Sequence, residues 1–217
     1  MLEIKNLKIF SKEKKGRNLI VSPGEIIQCI SNSGEGKTKL FKILTGTLRP
    51  ISGEIFYDKI DLFDNDFMNL ALSRKKIGAI FETPVILSNL TLDENIQLIL
   101  NARNIEHDNR LEELIDIFEL KHCLSQRPIN LSKEQVLAFS YLKIMISRPK
   151  FIFIDDFRAH SNEKIFLKFL DFLLEVKMNC VTIFLGNLGS ETLNVVDRTI
   201  NIQNFKNVAK GELNAVA

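Results

Sequence analysis

One stretch limits the fold more than any other. Glu25-Ile26-Ile27-Gln28-Cys29-Ile30 reads as a strand, and it runs into Ser31-Asn32-Ser33-Gly34-Glu35-Gly36-Lys37-Thr38. Lys39 to Leu44 then reads as a helix. A strand, a glycine-bearing loop and a helix in this order form the setting of a phosphate-binding loop. Gly34 and Gly36 allow backbone N–H groups to turn inward, and the helix N-terminus adds its partial positive charge. Lys37 is placed to reach β- and γ-phosphates, and the Thr38 hydroxyl to ligate Mg²⁺. The pattern asks for Gly where this chain has Ser31, a substitution that strains the turn if φ there must be positive.

The remaining strands fit the same frame. Leu2–Ile9, Lys76–Phe81, Phe151–Ile154, Val181–Leu185 and Arg198–Gln203 are β-like runs. Lys76–Phe81, Phe151–Ile154 and Val181–Leu185 lack clean alternation, as strands of a parallel sheet covered on both faces do. Between Phe81 and Arg148 the periodicity turns helical. Leu92–Asn104 and Asn109–Leu120 are candidate helices. Ser132–Ser147 is a third, with Ser132 and Gln135 spaced as a capping box and Pro149 as its stop. The expected organisation is a single α/β domain over 1–217. Residues 1–82 and 149–217 form its core, and 83–148 form a helical insert.

Phe151-Ile152-Phe153-Ile154-Asp155-Asp156 supplies a second half-site. An apolar strand ending in carboxylates resembles a Walker B strand, whose first acid holds Mg²⁺. Composition excludes little else. Lys and Arg total 29 against 27 acids, a net charge of +2, so no strong field draws the chain to nucleic acid or lipid. No apolar run nears the ~20 residues of a membrane span. Cys29, Cys123 and Cys180 are odd in number and scattered, which fits small buried residues in a reducing compartment. The basic run Lys12, Lys14, Lys15 and Arg17 reads as a solvated loop.

With these residues in place, the sequence resembles the ATP-binding subunits of ABC transporters over nearly its whole length. Leu131-Ser132-Lys133-Glu134-Gln135 stands at the Leu-Ser-Gly-Gly-Gln signature, at the family's distance from Asp155. Ile77–Glu82 resembles the strand into the Q-loop. Leu90–Asn95 resembles the segment that in the family faces the membrane subunits. Ser52–Ile55 resembles the turn into the next strand, and Asp197-Arg198 through Gly211 the closing strands. Arg74–Asn104 most resembles the lipoprotein-exporting, macrolide-exporting and cell-division branch.

The resemblance implies a P-loop NTPase fold: a RecA-like core, an antiparallel β edge and an α-helical subdomain. It implies ATP and Mg²⁺ as cofactors. Phe10 would stack on adenine, and Ser33, Gly34, Glu35, Gly36, Lys37, Thr38 and Lys39 would hold phosphates. Ser132, Lys133, Glu134 and Gln135 would reach the nucleotide of an opposite subunit. Thr38, Asp155 and Glu82 would surround the metal. The implied partners are integral membrane subunits and a second ATP-binding subunit, homomeric or heteromeric, with no nucleic acid. The implied location is the cytoplasmic face of the cell membrane, held there by the membrane partner.

The departures concentrate where water would be activated. Glu82 replaces the Q-loop glutamine. A like charge ~4 Å from phosphate costs roughly 4 kcal/mol at an effective dielectric of about 20 unless the metal offsets it. The same charge can also tighten metal binding, so both outcomes stand. Lys133 and Glu134 replace glycines that allow close backbone approach. Asp156 replaces the catalytic glutamate, and a carboxylate misplaced by about 1 Å costs on the order of 10²-fold in rate. Asn187 (or Leu188, if the register slips by one) replaces the switch histidine, and neither acts as imidazole does. Asn162 takes the place of the D-loop aspartate, and Phe157-Arg158-Ala159-His160 lacks the usual Pro-Thr.

The expectation is therefore an ATP-binding subunit with weak hydrolysis that changes the conformation of a membrane partner. A fully active but atypical ATPase and a non-catalytic regulatory or scaffold subunit are the alternatives.

Overall fold

Three five-residue runs, Ile26–Ile30, Phe151–Asp155 and Val181–Leu185, have every side chain buried. Strands covered on both faces must lie inside a sheet with packing on each side. The computed structural model builds that sheet, and it describes residues 1–32, 34–64, 67–155, 163–186 and 193–207. Its N-terminal half runs β1 (Leu2–Lys8), β2 (Arg17–Val21), β3 (Ile26–Ile30), α1 (Lys37–Leu44), β4 (Ser52–Tyr57), β5 (Ile60–Asp61), α2 (Phe67–Lys75) and β6 (Ile77–Ile80). The helices α3 (Leu92–Arg103), α4 (Asn109–Ile117) and α5 (Lys133–Ser147) follow. The chain closes with β7 (Phe151–Asp155), α6 (Glu163–Val176), β8 (Val181–Leu185), β9 (Arg198–Asn201) and β10 (Lys206–Asn207).

The larger sheet has the order β10-β9-β3-β8-β7-β6. Its strands are parallel except β10, which folds back on β9. The smaller sheet, β2-β1-β4-β5, is antiparallel throughout. Side chains of the parallel strands alternate between two cores. Ile26, Ile152, Ile154 and Phe184 pack with the helices α3 to α6. Ile27, Cys29, Phe151, Phe153, Ile183 and Leu185 pack with α1 and the antiparallel sheet.

The helical insert starts and stops on local chemistry. Thr91 N-caps α3 in a capping box with Glu94, and Asn104 closes it at φ 54°. Ser132 and Gln135 form the capping box expected for α5. Arg148 takes the left-handed position at its end, and Pro149 follows. The helix from Asn109 stops at Ile117 rather than Leu120, because Glu119 turns left-handed at φ 57° and starts a tighter turn.

One reading of the N-terminal segment changes. Lys12, Lys14 and Lys15 are exposed, as a solvated loop requires. Arg17 is not solvated: it opens β2, pairs with Glu13 and lies over the Phe205 ring. Its side chain is needed to cover apolar surface at the sheet edge, which outweighs its charge. All three cysteines are buried and unpaired, and burial pushes the Cys29 thiol up to about 12.

Candidate nucleotide-binding site

The loop after β3 emerges at the carboxyl end of the parallel sheet. The β3–β8 and β8–β7 registers place Cys29, Leu185 and Asp155 at one level there. Ligands of open α/β sheets bind at this end. The helix after the loop packs down against β7 and β8.

Two glycines shape the loop for separate reasons. Gly36 is the N-cap of α1 at φ 102°, and a Cβ there would lie 2.9 Å from the Phe10 ring. Gly34, at φ 79°, has open space around it, so conformation alone requires glycine. Ser31 is buried and is not among the described positive-φ residues. Its hydroxyl donates to the Asn32 carbonyl at 3.1 Å. The missing glycine therefore costs the turn nothing in backbone strain. Ser33 lies outside the described residues.

The Glu35 carboxylate braces the loop rather than facing its mouth. It accepts from the Asn32 backbone N–H at 2.8 Å and from the Gln203 amide at 2.5 Å. Sequence reading gave Gln203 no role, and only this contact across the fold reveals one. Lys37 is half-buried, and among the described residues no carboxylate pairs with it. The Thr38 side chain is exposed. Lys39 holds its ammonium 4.7 Å from the Phe10 ring centroid, so a base stacking on Phe10 shares that ring with a cation.

Asp155 ends β7 and is 3% exposed. Glu82 is exposed, two residues past the end of β6. Its neighbour Phe81 packs edge-on against Phe41 of α1. Among the described residues no group of three His, Cys, Asp or Glu side chains forms a metal cage. A buried carboxylate at the strand end suits Mg²⁺ held jointly with phosphate oxygens. Asp156, Asn162, the Phe157–His160 run, Asn187 with Leu188, and Ala209–Gly211 lie outside the described residues.

The signature residues begin α5, on the helical insert. Ser132 accepts from the Gln135 N–H at 3.2 Å, and Gln135 Oε1 accepts from the Ser132 N–H at 2.8 Å. Gln135 Nε2 also lies 3.1 Å from His122 Nε2. Both retained side chains thus cap their own helix. Lys133 and Glu134 are exposed in its first turn. The Glu134 backbone N–H, followed by the Ser132 side chain, holds the Glu134 carboxyl below its usual range.

A groove of about 300 Å³ separates α3 and α5 from the segment after Glu82. Val85, Leu87 and Leu98 line it with exposures of 56%, 50% and 45%. Asn95 fixes its wall. This side chain is 5% exposed, accepts from the Leu87 N–H and donates to the Leu87 and Thr91 carbonyls. Lys143 donates to the Val85 carbonyl at 2.6 Å, and burial pushes its ammonium down to about 8. The sequence places Asn95 only at the end of the segment that resembles the membrane-facing one, and marks Lys143 with no role.

Comparisons with known proteins place this geometry. The sequence profile of the family described as ABC transporter matches residues 15–159. A putative ABC transporter ATP-binding protein of Mycoplasma pneumoniae is 30% identical over 88% of this chain and 68% of its own length. A methionine import ATP-binding protein of Oceanobacillus iheyensis is 26% identical over 98% of this chain and 66% of its own length. The cell division ATP-binding protein of Bacillus subtilis is 23% identical over 87% and 84%. Among solved structures, an ATP-binding subunit of an ABC transporter superposes with a TM-score of 0.82 at 24% identity, covering 93% of this chain and 85% of its own. A dimeric ATP-binding cassette with ADP and Pi gives 0.77 at 22%, covering 93% and 94%.

Proposed function

This chain belongs to the ABC transporter family, and from that premise we propose that it is an ATP-binding subunit that drives a membrane partner chiefly by binding ATP, with weak hydrolysis. One observation carries the binding half. Gly36 caps α1, Lys37 is unpaired among the described residues, and Asp155 ends β7, one strand beyond β8 from the loop and at the same level. Lys37 would take the β- and γ-phosphates, and Thr38, Asp155 and Glu82 are the residues that would hold Mg²⁺. When bound, Mg²⁺ neutralises charge between the phosphates. The chain's own part is to fix phosphate position through backbone N–H groups.

The weak hydrolytic half rests on charge. Lys133 and Glu134 project where a close, neutral backbone approach to an opposite nucleotide is wanted, and Glu82 adds a carboxylate near the γ-phosphate. Asp156 and Asn187 depart from the family pattern in the same sense. A second ATP-binding subunit completes the site, and one with a better-preserved signature serves this chain's phosphate loop.

No helix among the described residues is long and apolar enough to cross a membrane. The exposed apolar groove at Val85, Leu87 and Leu98 gives an integral membrane subunit its docking face, and this holds the chain at the cytoplasmic side. Equilibrium binding of Mg-ATP and steady-state turnover test the proposal together. We expect saturable binding that Lys37→Ala removes, and turnover far below that of an ordinary ABC ATPase. Ordinary turnover by the purified chain, abolished by Lys37→Ala, overturns the weak-hydrolysis reading.

A further inference from the structure

At the end of the sheet opposite the phosphate loop, a cavity of about 520 Å³ opens between the helical insert and the core. Lys75 precedes β6 and Arg148 precedes β7, so the cavity lies at the amino ends of strands whose carboxyl ends carry the nucleotide site. Its floor is aliphatic: Leu100 of α3, Leu114 of α4 and Met145 of α5. Its rim is basic, with Lys75, Arg103, Arg110 and Arg148. A second cavity of about 370 Å³ shares Arg110 and Arg148 and extends the rim to Lys150.

Lys150 pairs with Asp58, but among the described residues the three arginines have no such partner. Among the described residues, the ion pairs include none of Arg103, Arg110 or Arg148. Arg103 donates to the Lys75 and Ile77 carbonyls, and burial pushes its guanidinium down from the usual range. Of the acids at the first cavity, Asp108 is engaged as the N-cap of α4, leaving Glu106. Arg148 sits at φ 42°, where glycine or asparagine is the usual helix terminator. An arginine there costs about 1 kcal/mol in backbone conformation. Evolution of a plain helix stop does not call for a guanidinium in that place.

Guanidinium forks match carboxylate and phosphate oxygens two at a time. An aliphatic floor beneath them suits a hydrocarbon chain. Among the described residues no aromatic side chain lines the larger cavity, so these offer no platform for a nucleobase. We propose that this cavity binds a small amphiphilic anion, a carboxylate or phosphate head on a short aliphatic chain, with the head held by Arg110 and Arg148 and the chain lying on Leu100, Leu114 and Met145. The volume falls within the roughly 300–1,000 Å³ range of small-molecule sites. Three walls come from the insert and one from the core at Lys75, so an occupant bridges the two and stiffens their junction. This site stands apart from the nucleotide site and does not rest on the function proposed above.

Calorimetric titration of the full chain with decanoate, decyl phosphate and inorganic phosphate tests it, with ATP affinity measured in parallel. We expect saturable binding of both amphiphiles, and inorganic phosphate weaker by at least about tenfold because it gains nothing from the floor. The double variant Arg110→Gln/Arg148→Gln, at a half-buried and an exposed position, weakens decanoate by at least about tenfold and leaves ATP affinity unchanged. Ile105→Trp, at the cavity lining, excludes the chain and removes decanoate binding while phosphate binding persists. Absence of saturable amphiphile binding overturns the proposal. So does undiminished binding in the double variant, or phosphate binding as tightly as decanoate.

Discussion

The ring of Phe81 meets the ring of Phe41 edge-on, with centroids 4.9 Å apart and planes at 81°. Phe41 is buried in α1, directly behind the phosphate loop, and Phe81 immediately precedes Glu82. The two segments that would surround the terminal phosphate are thus joined by one aromatic contact. A double-mutant cycle with Phe41→Leu and Phe81→Leu should give a coupling of about 0.5–1.5 kcal/mol in chemical denaturation. Phe81→Leu alone should also weaken Mg-ATP binding, since the Glu82 segment loses its hold on α1. Additive effects on stability would mean that the rings merely touch.

Gly36→Ala brings two penalties at once. The new Cβ must adopt φ near 102° and enters the Phe10 ring at 2.9 Å. We expect a stability loss of about 1–3 kcal/mol and loss of ATP binding. Gly34→Ala, where the space is open, should cost only the conformational part. Thermal unfolding of the two variants side by side separates strain from collision.

Lys143 gives the molecule a pH response. Burial pushes its ammonium from 10.5 down to about 8 in the folded protein. Below that pH both folded and unfolded chains carry the charge, so the full cost of burial is present. Between about 8 and 10.5 the unfolded chain binds more protons, and stability rises with pH. The melting temperature of the wild type relative to Lys143→Met should therefore increase from about pH 7 to about pH 10. A flat difference across that range would place Lys143 at an ordinary lysine pKa.

Restoring the signature glycines should trade stability for activity. Lys133→Gly/Glu134→Gly puts two poor helix formers into the first turn of α5 and removes the acid at its N-terminus. The loss should be about 1–2 kcal/mol. In complexes assembled with an ATP-binding partner, turnover should rise because the obstruction is gone. Calorimetry and phosphate release measured on the same preparation check both halves, and unchanged turnover would exonerate the two charges.

Much of this architecture could be read from local pattern. The phosphate loop, the buried β7 and β8, and the two capping boxes each rest on a short run of residues whose chemistry is self-contained. The helix α2 was not legible: Phe67–Lys75 carries no apolar stripe, and tertiary placement decides it. The helix α6 was legible but unread, with Phe166, Phe169 and Phe172 spaced by three. At the site, the neutral cost of Ser31, the bracing of Glu35 by Gln203 and the clamp at Asn95 all depend on contacts between distant segments. Spacing along the chain does not encode such contacts. The order in which Lys39 shares the Phe10 ring with a base belongs to the same class.

The two-sided sheet has a consequence for Asp155. Within β7, Phe151 and Phe153 serve one core and Ile152 and Ile154 the other. Side chains along a strand obey strict parity, so Asp155 falls on the side of the odd-numbered pair, the side that α1 covers. Parity alone therefore puts the carboxylate on the α1 side of the sheet. Deleting one residue from this run would leave an apolar strand that still packs, and would turn the acid toward the helical insert. Evolution can therefore exchange the hydrophobic residues of β7 freely, but it cannot change their number.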